Sequence, residues 1–158
     1  MFFWNLKELK NALIRNELSE GKVFGYVLIT VVMSALIMEI SRYYSPGRVG
    51  VWDYVNSVFS IFIVFFGTFM AYRANGGSEG VNFAARYFSI SIVVTIRYMF
   101  FLIPIGLAVL LAFFYSLSQG SSLDKAMMTD GVEVVLLTIW YILIYWAIAR
   151  NIRDVAKA

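Results

Sequence analysis

The chain contains no cysteine and no histidine, and only 15% of its 158 residues are charged. Without cysteine there is no disulfide framework, and without either residue there is no Cys- or His-ligated metal site. The missing histidine also removes the commonest general base of hydrolytic chemistry. The carboxylates are widely separated and form no paired acidic motif. A non-enzymatic protein without a cofactor is therefore expected, and no nucleic acid is expected as a partner. Loops long enough to build a soluble domain are missing as well.

What the chain has in excess is apolar surface. Its hydrophobic share is 61%, against about 45–50% in soluble domains. The excess is gathered into segments of spanning length, and about 20 apolar residues of helix cross a bilayer core. The expectation is an all-α integral membrane protein: an N-terminal amphipathic interfacial helix over residues 1–20, then a four-helix transmembrane domain over 21–158. The spans are expected at about 23–42, 53–72, 87–117 and 131–149.

Residues 2–20 place Phe2, Phe3, Leu6, Leu9 and Leu13 at spacings of three and four, with Lys7, Glu8, Lys10, Asn11, Arg15 and Glu17 on the other face. This pattern suits a helix lying at the headgroups, with Phe2, Phe3 and Trp4 sunk into the acyl boundary. Gly21 is read as the break before the first span. Glu39 and Arg42 stand one turn apart at its far end and can neutralise each other. Pro46-Gly47 marks the first turn.

In the second span Gly67 and Ala71 form a small-xxx-small pair that lets another helix approach closely. The sequence ANGGSEG follows, where Ser78 is read as a helix N-cap with Glu79 in the first turn. In the third span Pro104 is expected to kink the helix or free a carbonyl, with Gly106 close behind. Ala108 and Ala112 add a second small pair. Asp130 and Glu133 have capping-box spacing ahead of the fourth span. Trp140, Tyr141, Tyr145 and Trp146 crowd that last span and are read as contacts for a partner chain, where Trp and Tyr are frequent anchors.

With four spans both termini share one side. That side carries nine lysines and arginines in its flanking segments (Lys7, Lys10, Arg15, Lys22, Arg73, Arg86, Arg150, Arg153 and Lys157), and the other carries three (Arg42, Arg48 and Lys125). The positive-inside rule makes the nine-residue side cytoplasmic, N-in and C-in, in a bacterial inner membrane. Its cations, Lys7, Lys10, Arg15, Arg73 and Arg86 among them, are expected to meet anionic headgroups.

Arg97 is the single charge inside a long apolar stretch. Counting back about 20 residues from Leu117 places it at the cytoplasmic boundary, reaching phosphates or an acid such as Glu17 or Glu20. Residues 81–96 then form a helical extension near the interface. The functional expectation is a membrane-embedded subunit or scaffold that associates with itself or with other membrane subunits. The alternative is an oligomeric channel or transporter in which Arg97 lines a polar, anion- or lipid-binding cavity. The two halves of the chain do not align as an inverted repeat, which weighs against the transporter architecture built on such repeats.

Overall fold

The computed structural model describes residues 2–43, 50–118 and 131–158. The Pro46-Gly47 turn, the Asp130 cap and the side chains of Arg42 and Ala112 lie outside the described residues. Among the described residues five α-helices follow one another: α1 (Leu6–Ile14), α2 (Glu20–Tyr43), α3 (Val51–Ala74), α4 (Phe83–Ser118) and α5 (Gly131–Ala156), with a 3-10 turn at Gly77–Glu79 between α3 and α4. Four of them are long and apolar enough to cross a membrane, over Glu20–Ile40, Val51–Ala74, Phe83–Ala108 and Gly131–Ala156. They support a multi-pass membrane protein.

Local chemistry sets the ends of α1. The Asn5 side chain accepts a hydrogen bond from the Glu8 backbone N–H at 3.2 Å, so the helix starts at Leu6 rather than at Phe2. Asn16 takes a left-handed conformation, φ 53°, which asparagine tolerates better than most residues. The chain therefore turns at Asn16, and Gly21 lies inside α2 instead of marking the break.

The turn after α3 is also built on asparagines. Gly76 adopts φ 105°, a region open to glycine. Ser78 sits in the 3-10 turn and α4 begins only at Phe83, so Ser78 does not cap α4. Asn82, with φ 54°, stands just before α4, and its amide donates to the Asn16 side chain at 3.3 Å. The two left-handed asparagines thus tie the α1–α2 and α3–α4 connections together. Pro104 lies within α4, which continues as a helix through it.

Helices α3 and α5 pack side by side and run in the same direction. Trp52 faces Gly131 at one end, Tyr145 covers Gly67 in the middle, and Met70 and Arg73 meet Arg153 and Ala156 at the other. Alternate spans of an up-and-down chain run parallel, so α3 and α5 share a direction by construction. Helix α4 contacts α1, α2 and α5.

The interior lies at one end of the bundle. Leu9 and Leu13 of α1, Tyr26 of α2, Ala71 of α3, Ile90, Val93 and Val94 of α4, and Ile144, Ile148, Ile152 and Val155 of α5 form its buried core. The early part of α4 is surrounded there, with Ser89, Ile90 and Val93 all at 0% exposure. Toward the other end, Val31, Leu36, Met38 and Ile40 of α2 and Phe101, Leu107 and Leu111 of α4 are exposed. Hydrocarbon is the natural environment for that surface.

Candidate functional site

A cleft of about 630 Å³ opens where the N-terminal segment, α4 and α5 meet. Its walls carry Trp4, Leu6 and Lys10 from the N-terminus, Val94, Arg97, Tyr98, Phe100 and Phe101 from α4, and Trp146, Ala147, Arg150, Asn151 and Asp154 from α5. Three cations, one carboxylate and five aromatic rings share one concave surface.

The N-terminal wall is held from two sides. The Phe2 N–H donates to the Tyr26 hydroxyl at 2.7 Å, and that hydroxyl donates to the Phe2 carbonyl, 3.1 Å away. Tyr26 itself is fully buried. Leu9, at 0% exposure, anchors α1 against α4 and α5. Between these two anchors Trp4 is presented to α4. Its ring meets Phe100 edge to face, with centroids 4.9 Å apart, and the Arg97 guanidinium lies 5.9 Å from its ring centre. That spacing is within cation–π range.

The opposite wall repeats this arrangement. The Arg150 guanidinium lies 5.4 Å from the Trp146 ring, one helical turn earlier on α5. Across the mouth, Lys10 forms a 2.7 Å salt bridge with Asp154 and donates to the Asn151 side chain at 3.4 Å. The Lys10 and Asp154 side chains are 23% and 47% exposed, so the pair itself is worth at most about 1 kcal/mol. It also leaves Lys10 with little charge to spare. Among the described residues neither Arg97 nor Arg150 forms a salt bridge. Arg97 thus rests on Trp4 rather than on Glu17 or Glu20; Glu17 lies 3.8 Å from Arg15 instead.

The other residues singled out in the sequence fall in three places. Gly67 and Ala71 lie in the α3–α5 contact, Ala71 being fully buried. Gly106 has open space where a Cβ would stand, and Ala108 is exposed beside it. The aromatic group of α5 divides: Trp140 packs on Tyr98 with centroids 5.6 Å apart, Tyr145 covers Gly67, and Tyr141 and Trp146 are exposed. Tyr145 joins a cluster inside the bundle with Thr68 and Tyr87, whose hydroxyls are 3.1 Å apart.

Arg86 departs most from expectation. It is 9% exposed, and its Nη1 donates to the Asn75 side-chain oxygen at 2.8 Å. Asn75, 2% exposed, donates in turn to the Val81 carbonyl at 3.2 Å. Arg86 therefore fastens the α3–α4 turn from within instead of meeting headgroups. Arg73 lies over Phe69 at 5.9 Å and lines a second, shallower recess with Arg153 and Lys157. Lys7 and Arg15 are exposed on α1 and just after it.

Sequence reasoning singled out Trp4, Lys10, Arg97 and Trp146 separately but missed Asp154 and Asn151. The one signal available was the position of Asp154, four residues after Arg150 and three after Asn151, which makes it a helix neighbour of both. Among the described residues no group of three or more His, Cys, Asp or Glu is placed to hold a metal ion. Compared with protein-family models, with curated proteins and with solved structures, the chain has no match.

Proposed function

We propose that this protein is a non-enzymatic, membrane-embedded subunit or scaffold that works through helix–helix association, in a homo-oligomer or a larger membrane complex. The observation that supports this reading is the uneven packing of the bundle. One end has a buried core to which α1, α2, α3, α4 and α5 each contribute. At the other end, α2 and the later part of α4 present large apolar side chains and the open Gly106 to their surroundings. Small residues on an uncovered span are where another helix approaches most closely.

Purification in mild detergent followed by mass measurement tests the proposal. A discrete homo-oligomer or a hetero-complex is expected. A strict monomer at all protein-to-detergent ratios would sink it. The polar cleft around Arg97 favours a second reading, an oligomeric channel or transporter, because an ionisable residue within a span often marks a solute path. Solute flux in liposomes carrying the purified protein alone would move that reading ahead.

The orientation belongs to the same proposal. The excess of nine cations over three supports an orientation with both termini in the cytoplasm of a bacterial cell and α1 at the inner interface of the plasma membrane. Arg97 stands about 32 Å of helix from Ser118, which suits the inner boundary of a core about 30 Å thick. Cysteines introduced at Ser45 and Ser121 should react with an impermeant reagent added outside. Labelling at Ser78 in their place would invert the arrangement.

A further inference from the structure

We propose that the cleft between the N-terminal segment, α4 and α5 binds the phosphate headgroup of an anionic phospholipid, held by Arg97 and Arg150. Three observations carry the inference. First, the charges do not balance: Lys10 is engaged by Asp154, so two guanidinium groups on two different helices line one concave surface without a salt bridge to a carboxylate among the described residues. Like charges gathered at a bilayer edge repel each other, and an anion between them offsets that repulsion.

Second, each guanidinium lies within cation–π range of an indole, Arg97 5.9 Å from the Trp4 ring centre and Arg150 5.4 Å from that of Trp146. A ring contact uses none of the N–H donors that a carboxylate would take. A guanidinium presents those donors to phosphate oxygens in pairs.

Third, the cleft is polar at one end and apolar at the other. Along α4, Phe100 follows Arg97 by about one turn, toward Ser118. Helix α5 runs the opposite way, and Trp146 precedes Arg150 by about one turn. Both aromatic side chains therefore lie on the side away from the packed end. Lys10 and Asp154 lie on the other. A headgroup between the arginines would send its acyl chain along Phe100 and Trp146. A free phosphate has no use for that apolar exit.

Native mass spectrometry of the full chain, released from nanodiscs of equal parts phosphatidylglycerol and phosphatidylcholine, tests the site. The first lipid retained should be phosphatidylglycerol by a factor of about 25, since each of the two arginines contributes about fivefold and the factors multiply. In the Arg97→Gln, Arg150→Gln double variant the preference should fall to near one. In a Lys22→Gln, Lys157→Gln control, which loses the same charge at exposed positions, it should persist. An equal loss in the control would overturn the site, because net charge alone would then account for the preference. Release of the bound lipid by millimolar inorganic phosphate would overturn the lipid in favour of a soluble phosphate compound. If the double variant loses its helix content by circular dichroism, the wild-type and phosphate arms decide: no preference for phosphatidylglycerol, or release by phosphate, overturns the proposal.

Discussion

Replacing Gly67 by valine should separate α3 from α5 and lower the stability of the bundle by about 2–3 kcal/mol, in the range measured for overpacked interiors. A Cβ at position 67 would fall against the Tyr145 ring carbons Cγ and Cδ1 and only 2.8 Å from the Tyr145 Cβ. The ring can turn away, but the Tyr145 Cβ is fixed by the backbone of α5. Relief therefore requires the helices to move apart, and the contact runs from Trp52 to Ala156. Tyr145 would also be drawn from the cluster it shares with Thr68 and Tyr87. Thermal unfolding in detergent, followed by circular dichroism, is the measurement. Adding Tyr145→Ala to Gly67→Val should recover part of the loss, because residues in contact do not behave additively. Unchanged stability in the single variant would mean that α3 and α5 are not so close.

The second large effect concerns Asn75. Asn75→Leu should cost about 2–3 kcal/mol, since it leaves a buried donor without its acceptor, and that donor is charged. Arg86 would lose its 2.8 Å partner, and the Val81 carbonyl would lose the Asn75 amide. The α3–α4 turn should then open to protease between residues 76 and 82 while the spans stay inserted. The Asn75→Leu, Arg86→Leu double variant should lose less than the two single losses added together, because removing both partners of a buried pair is nearly neutral. Full additivity would show that the two side chains act independently.

The four spanning helices could be read from the sequence because length and composition identify a span. Which face of each span packs could not. In a soluble helix, polar residues mark the outside; in a span both faces are apolar, and the pattern that would orient it is absent. Small residues were an ambiguous guide: Gly67 and Ala71 lie on the packed face of α3, whereas Gly106 and Ala108 lie on an open face of α4. The cleft stayed hidden for a different reason. Lys10 and Asp154 lie 144 positions apart, and no local spacing joins them. Arg86 misled because an arginine beside a glycine-rich loop resembles any other flanking cation until its partner, 11 residues earlier, is in place. The end of α1 was closer to legible: Asn5 and Glu8 have the spacing of a capping box.

The packed end joins helices that lie far apart in the sequence. Leu9 and Leu13 are buried by α4 and α5, and Lys10 is joined to Asp154. During synthesis α1 leaves the ribosome well before α4 and α5, so the surfaces that receive it are made later. Until α4 and α5 have entered the bilayer, the leucines of α1 lack the partners that bury them. A helix made early therefore reaches its final place only after α5 has been made.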